Sequence, residues 1–317
     1  MKEPVSSSTP ILEARALTKR FGDFTAVDDV SFVLHEGEIL GLLGQNGAGK
    51  TTTIQMLLGI LTPTSGEISC FGKPFAGHRE EILEQVSFSS NYTNLPWNLT
   101  VRENLTFISY FYQIPNRAVR LRKIIDIFRL GDIIDSKTHT LSSGQLTRVN
   151  LAKAFLNFPR ILLLDEPTAS LDPEAAQYIR QFLLEERQQF RVSIILTSHN
   201  MAEVEEVCDR VIFINEGKII ADDTPEVLAR SVTVTHVELF VGDHLGAAIR
   251  YAVKANLAYR IEGKRITIDA PEKDIPDLLR GLMRAGVVYE EIAIDRPTLE
   301  DYFLATVKNS RTAEKQP

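Results

Sequence analysis

Cysteine is scarce in this chain: Cys70 and Cys208 are the only two among 317 residues, and they do not form a CxxC pair. That argues against a disulfide framework or a cysteine zinc site and leaves both as expected buried free thiols. Long apolar runs are missing as well. The longest, such as Ile161 to Leu164 and Val211 to Ile214, are strand-sized and fall far short of the roughly 18 consecutive apolar residues of a membrane-spanning helix. The chain is therefore not expected to cross a membrane by itself. Basic residues are not in excess: Lys plus Arg number 35 against 42 Asp plus Glu, a formal charge of −7. This argues against an extended nucleic-acid footprint, and no nucleic-acid partner is expected. Met1 to Pro10 lacks the basic-then-apolar profile of a secretory signal and reads as a disordered lead-in to a cytosolic protein. What is present is a globular composition, with 44% hydrophobic residues, at a length that suggests two domains.

A glycine-rich octapeptide, Gly44-Gln45-Asn46-Gly47-Ala48-Gly49-Lys50-Thr51, fits the phosphate-loop pattern G-x-x-x-x-G-K-S/T. It lies between the apolar run Glu38 to Leu43 and a helix-like stretch from Lys50 to Gly59. Strand, glycine loop and helix in that order give the pattern its meaning. Glycines let successive backbone N–H groups point inward around a phosphate, and the helix offers its free N-terminal donors and positive dipole end to the same charge. Gly44, Asn46, Gly47, Gly49, Lys50, Thr51 and Thr52 form the expected nucleotide-binding set. Lys50 is expected to reach the β- and γ-phosphates, and Thr51 to offer its hydroxyl to Mg2+.

Ile11 to Phe21, Val27 to Leu34 and Glu67 to Phe71 read as short strands divided by turn residues, a small antiparallel layer beside the nucleotide site. Gln85 to Phe88 reads as a core strand, and Thr100 to Glu103 as a capping box opening a helical pattern that runs to about Arg129. The aromatics Phe107, Tyr110, Phe111 and Tyr112 in that stretch are expected mostly in the core. Apolar runs at Arg160 to Leu164, Val192 to Leu196 and Arg210 to Ile214, separated by helix-period segments, read as buried parallel strands of a wound sheet. The fold class expected is α/β. One of these strands runs directly into Asp165-Glu166. Carboxylates at the C-terminal end of a buried parallel strand face the ligand crevice of α/β proteins. Asp165 is thus expected to hold Mg2+ and Glu166 to activate the attacking water.

Between these two motifs stands Leu141-Ser142-Ser143-Gly144-Gln145, followed by Arg148. With this signature, close to LSGGQ, the chain resembles the ATP-binding cassette (ABC) family. The resemblance implies a phosphate-loop ATPase cassette with an antiparallel β subdomain and a helical subdomain. It also implies a head-to-tail dimer in which Ser142, Ser143, Gly144 and Gln145 of one subunit meet ATP held by the other. Further matches follow in the family's order. Phe21 matches the aromatic that stacks on adenine. Ala169-Ser170-Leu171-Asp172 resembles the loop that touches the partner's site, with Asp172 crossing the interface. Thr197-Ser198-His199 matches the switch histidine, so Lys50, Glu166 and His199 form the implied catalytic set and ATP with Mg2+ the implied cofactors. A helix opening at Ser142 presents N-terminal donors to a phosphate, the physical logic of the signature.

Two positions depart from the pattern. Ser143 stands where glycine is usual. Asn91 stands where the family usually carries Gln, and its amide is one C–C bond, roughly 1.5 Å, shorter. Asn91 either reaches the metal or only shapes its loop through local bonding. The loop Tyr92 to Leu99 contains the only Trp of the chain, in the region where the family receives its membrane partner. Tyr92 and Trp97 are the candidate contacts, although Trp97 could equally pack inside the helical subdomain. After the short helix Pro225 to Arg230 the pattern changes to a compact α+β appendage. Its strand pair turns at Gly263, and the closing stretch Asp295 to Leu304 resembles the ending of the drug, polysaccharide and lipid exporter branch.

The expected layout is a lead-in over 1–10, a nucleotide-binding domain over 11–230 with its helical subdomain at about 92–150, an accessory domain over 231–305 and a disordered tail over 306–317. The resemblance implies an ATPase subunit that powers export through a separate transmembrane permease. The subunit would work as a homodimer or heterodimer, cytoplasmic and peripheral on the membrane. A soluble cassette ATPase acting on ribosomes or nucleic acid, and a weakly hydrolysing regulatory subunit, are the alternatives. Asn91→Gln should raise hydrolysis or metal affinity; a Mg2+ titration of ATPase rate that is unchanged would remove Asn91 from the metal site.

Overall fold

The structure, a computed structural model, describes residues 10–90, 95–169, 171–232 and 234–313. Asn91, Tyr92, Ser170, the segment 1–9 and the last residues 314–317 lie outside the described residues. The chain divides into two compact units between Thr224 and Pro225.

The first unit begins with long strands β1 (Pro10–Phe21) and β2 (Phe24–His35), joined antiparallel at the turn Gly22-Asp23. The chain then enters β3 (Ile39–Leu43) and helix α1 (Lys50–Leu57), with the glycine loop between them. β4 (Ser65–Cys70) pairs antiparallel with β1, and the two-residue strand β5 (Lys73–Pro74) pairs with β4. The sheet order β2-β1-β4-β5 is the expected antiparallel layer. Pro10 belongs to β1, pairing with His35, rather than to the lead-in.

A second sheet carries the site. Helix α2 (Phe75–Leu83) leads to β6 (Val86–Ser90), and the chain returns to this sheet at β7 (Ile161–Asp165), β8 (Ser193–Thr197), β9 (Arg210–Asn215) and β10 (Lys218–Asp223). The order is β10-β9-β3-β8-β7-β6, parallel throughout except for the hairpin strand β10. β3 and β8 are buried at every position, which explains why their sequences are solidly apolar rather than alternating. The register sets Ser90, Asp165 and Thr197 side by side at the carboxyl ends of β6, β7 and β8.

The helical subdomain contains α3 (Val101–Ser109), α4 (Arg117–Ile127) and α5 (Ser143–Ala154). Thr100 and Glu103 form the expected reciprocal cap. The single helical pattern to Arg129 is in fact two helices. Pro115 cannot continue the first, and Asn116 enters α4 at φ 49°. The aromatic expectation is corrected too. Phe107, Tyr110 and Phe111 are 52%, 66% and 67% exposed, because α3 buries the face carrying Val101, Asn104 and Leu105 and turns Phe107 and Phe111 outward. Phe128, Phe155 and Phe182 supply the aromatic core instead, with ring centroids 5.0–5.7 Å apart. Phe182 comes from α6 (Pro173–Phe190), and α7 (Met201–Val207) follows β8.

The second unit opens with α8 (Pro225–Ser231), which packs against α11 (Leu299–Ala313). The boundary therefore falls before Pro225 rather than after Arg230. Between these helices stand β11 (Val234–Phe240), α9 (Leu245–Lys254), β12 (Tyr259–Glu262), β13 (Arg265–Pro271), α10 (Ile275–Arg284) and β14 (Glu291–Asp295). The antiparallel sheet is ordered β12-β13-β11-β14. Val237, Leu239, Ile266 and Ile268 pack against Ala248, Ala252, Leu278 and Leu282 of the two helices. Val287 is buried in this core just after Gly286, and β14 begins only at Glu291. α11 extends through Ala313, so helix replaces part of the expected tail. Its first turn is fixed by Asp301 accepting the Thr298 N–H at 2.8 Å, and Leu299 is fully buried.

The same Asp301 joins a half-buried triad. His236 Nδ1 lies 2.7 Å from Asp269 and Nε2 lies 3.0 Å from Asp301. Burial works against the imidazolium, but the two carboxylates outweigh it and raise the His236 pKa. A raised folded-state value means the contribution is fully present below the ordinary histidine pKa and is lost as pH rises through the folded one. Thermal melts followed by circular dichroism should therefore show wild type losing more stability than His236→Gln between pH 6 and pH 9. Parallel losses in the two proteins would exclude the triad as the cause.

Candidate functional site: a phosphate loop facing an acidic strand end

The glycine loop is pressed between two backbone segments. A Cβ on Gly44, at φ 152°, would sit 2.1 Å from the Ile214 carbonyl oxygen, and one on Gly49, at φ 108°, would sit 2.5 Å from that of Ala26. Neither position accommodates a side chain. The loop is held from below by the β9–β10 turn, where the Gly217 N–H donates to the Ala48 carbonyl at 3.0 Å and the Gly217 carbonyl accepts from the Asp28 N–H at 2.9 Å. No side chain caps α1 at Gly49, which leaves its first N–H groups to an anion. Lys50 is buried, and its ammonium donates to the Gly44 and Gln45 carbonyls at 2.7 and 3.0 Å. With two of three protons spent on the loop, the third can meet a phosphate. Thr51 and Thr52 follow in the first turn of α1. Glycines without room for Cβ, uncapped amides and a buried ammonium fit a nucleotide polyphosphate.

Facing the loop across the crevice are the acids of β7. The Thr197 hydroxyl donates to Asp165 Oδ1 at 2.7 Å, and Ser90 Oγ stands 3.5 Å from Oδ2. Glu166 takes a left-handed φ of 54°, a strained setting for a non-glycine residue at the strand end. Its N–H donates to Thr197 at 3.2 Å. His199 closes on it twice: the His199 N–H donates to Oε2 at 3.3 Å, and Nε2 stands 3.1 Å from Oε1. Lys50, Asp165, Glu166 and His199 thus converge at one end of the sheet.

The family model for ABC transporters matches residues 27–169, from β2 through the acidic strand end. Over 312 residues the chain is 35% identical to the Nod factor export ATP-binding protein I of Ralstonia nicotianae, covering 95% of each chain. The chain belongs to the ABC transporter family. A second relative, the Nod factor export ATP-binding protein I of Burkholderia orbicola, is 38% identical over 301 residues, 92% of this chain and 95% of its own. Among solved structures, an ATP-binding subunit of an ABC transporter superposes with a TM-score of 0.65 at 30% identity, over 70% of this chain and 92% of its own. A dimeric cassette in a post-hydrolysis state bound to ADP and Pi shares the fold, with a TM-score of 0.63 at 23% identity, over 67% of this chain and 98% of its own. As an ABC ATPase the chain binds and hydrolyses ATP.

The family's remaining motifs occupy defined positions. Phe21, at the end of β1, is 51% exposed with the Lys19 ammonium 5.3 Å from its ring centre; it is a free aromatic face rather than a core residue. Ser142 and Gln145 cap α5 reciprocally, at 2.9 and 3.3 Å, with Ser143 and Gly144 in the first turn. Asp172 caps α6 by accepting the Ala175 N–H at 2.9 Å. Trp97 is 71% exposed, edge-on to His139 with centroids 6.0 Å apart, so it does not pack inside the helical subdomain. Sequence reasoning missed Thr197 as the link between Asp165 and Glu166, and Gly217 as the prop beneath the loop. The pair Glu216-Gly217 signals a turn, but nothing in it tells where that turn rests.

Electrostatics set the working range. Burial pulls the Lys50 pKa down, and the facing Glu166 and Asp165 recover part of it. Burial raises the Glu166 pKa; His199 opposes this with charge and a backbone hydrogen bond, while Asp165 adds to it. If Glu166 is the proton acceptor, as the family resemblance implies, its ionised form is required. ATPase activity should therefore fall with acid at a higher pH than an ordinary glutamate, near 4.3. His199→Ala removes an influence that lowers the pKa, so the acid limb of the residual rate should move further up in pH. A pH–rate profile in which it stays or moves down would count against this coupling.

Proposed function

We propose that this chain is the ATP-hydrolysing subunit of an exporter, driving a separate membrane-spanning permease from its cytoplasmic face. The observation that carries this reading is the extent of similarity: the match to export ATP-binding proteins runs over 95% of the chain, second unit included. Among the described residues no helix is long and apolar enough to cross a membrane, so a transport path requires another subunit. The exposed Trp97 and the exposed aromatics Phe107, Tyr110 and Phe111 in and just after α3 offer apolar surface of the kind that anchors an interface. Trp97, with Tyr92 five residues before it in the same loop sequence, is our candidate contact for the permease.

In the proposed cycle the phosphate loop amides and Lys50 bind the polyphosphate, and Phe21 stacks on adenine. The Thr51 hydroxyl and the Asp165 carboxylate are oxygen donors suited to Mg2+, which neutralises charge on the phosphates when bound. Glu166 accepts a proton from the water that attacks the γ-phosphorus as the bond to the β–γ bridging oxygen breaks. His199 orients Glu166 and meets the γ-phosphate. Ser142, Ser143, Gly144, Gln145 and Asp172 serve the partner subunit's nucleotide, so two ATP molecules close a dimer and hydrolysis reopens it. Intact Lys50, Asp165, Glu166 and His199 favour a hydrolysing over a regulatory role.

Glu166→Gln should bind ATP and elute as a dimer on gel filtration while hydrolysing at least about a hundredfold more slowly. Tagged in its native cell and purified from detergent-solubilised membranes, the chain should bring down a polytopic membrane protein in stoichiometric amount. A persistent monomer with ATP would refute the dimer cycle, and recovery only from the soluble fraction would refute the transporter assignment.

A further inference from the structure

One buried carboxylate stands behind this site without touching it. Glu203, in the first turn of α7, is 2% exposed. It makes no ion pair among the described residues. Instead it takes two hydroxyls from two different loops. The Thr168 hydroxyl stands 2.7 Å from both carboxylate oxygens, and the Ser198 hydroxyl donates to Oε2 at 2.9 Å. Ser198 Oγ in turn accepts the Asn200 N–H at 3.1 Å, and the Asn200 side chain accepts the Glu203 N–H at 3.2 Å, which closes the ring onto the helix start.

Burying a carboxylate without a counter-ion is costly, and an apolar residue of similar size would fill the same volume at less expense. The two loops it joins explain what the charge does there. Thr168 lies two residues after Glu166, in the turn where the Ala169 N–H returns to the Glu166 carbonyl at 3.4 Å. Ser198 immediately precedes His199, whose N–H and ring nitrogen face the Glu166 carboxylate. Hydrogen bonds to a carboxylate are roughly twice as strong as neutral ones.

We infer that Glu203 is a positioning residue for hydrolysis: by tying Thr168 to Ser198 it sets the separation of Glu166 and His199. The inference rests on the roles assigned above to those two residues. Because Thr168 also starts the loop that leads to Asp172, the same carboxylate links the base to the segment assigned to the dimer partner.

The test compares the purified full chain as wild type, Glu166→Gln, Glu203→Gln, Thr168→Val, Thr168→Ser and the double variant Thr168→Val/Glu203→Gln. The readouts are kcat, KM for ATP, the Kd for trinitrophenyl-ATP and the thermal midpoint. Loss of an orienting contact of this kind costs on the order of ten- to a hundredfold. Glu203→Gln and Thr168→Val should each lower kcat by about that factor, with trinitrophenyl-ATP affinity and KM within about twofold of wild type. Thr168→Ser should recover most of the rate lost in Thr168→Val. The double variant should be no slower than the worse single, as expected for two ends of one contact. A purely structural role would instead lower the midpoint and leave kcat per folded molecule intact. The inference is overturned by a Glu203→Gln kcat near wild type, by fully additive losses, or by failure of Thr168→Ser to rescue. Should Glu203→Gln not fold, Thr168→Val and Thr168→Ser decide alone. Wild-type turnover in Glu166→Gln would overturn the site assignment itself, and this inference with it.

Discussion

Everything in the first unit depends on a steric constraint at the carboxyl end of β3. The chain must leave a fully buried parallel strand and turn back between the Ile214 and Ala26 carbonyls, and only glycine passes at Gly44 and Gly49. The neighbouring strands are bound by the same geometry. β8 and β7 run parallel beside β3, so their carboxyl ends bring Thr197 and Asp165 to the crevice wall, and the turns that follow carry His199 and Glu166. A shift of any one strand would pull a side chain away from the loop.

The opposite end of the same strands is held by charge. Glu38, 1% exposed before β3, accepts from Arg210 at 2.7 Å, and Arg210 also grips Asp222 on β10 at 2.6 Å. Asp209 accepts the Ile39 N–H at 2.9 Å and pairs with Arg187 of α6 at 3.0 Å. These contacts cross from the entrance of β3 to the entrance of β9 and the exit of the antiparallel β10. The Arg210 pKa is raised even though burial alone would lower it, because Glu38 and Asp222 more than compensate. Removing one partner would leave another buried charge unpaired, the costly arrangement for such pairs. The end of the sheet beside the phosphate loop is held mostly by backbone and hydroxyl hydrogen bonds, while the far end carries these ion pairs.

Much of this was legible in the residues. β3, β7, β8 and β9 announce themselves as short, solidly apolar runs, because both faces of the sheet are covered. The caps at Thr100 and Ser142 follow from side chains acting within one turn. The hairpin at Gly263 and the alternation of β13 are equally local. What stayed hidden depends on contacts far apart in sequence. The order of the sheet, with β3 between β8 and β9, is set by crossovers. The exposure of Phe107 and Phe111 depends on which face of α3 finds a neighbour. The first-unit boundary at Thr224 reflects α8 packing on α11, which the short apolar pattern of Pro225 to Arg230 does not reveal. Gly217 beneath the phosphate loop and Glu203 behind Glu166 are ordinary turn and helix residues until the fold delivers them.

The lone tryptophan has a different kind of consequence. Since Trp97 is the only indole of the chain and is 71% exposed on the helical subdomain, the protein's red-edge excited fluorescence originates from a single, solvent-facing point. The eight tyrosines of the sequence do not absorb there. The chain thus carries a built-in optical label at the residue we propose as a permease contact, and burial of that surface would register as a blue shift without any added dye.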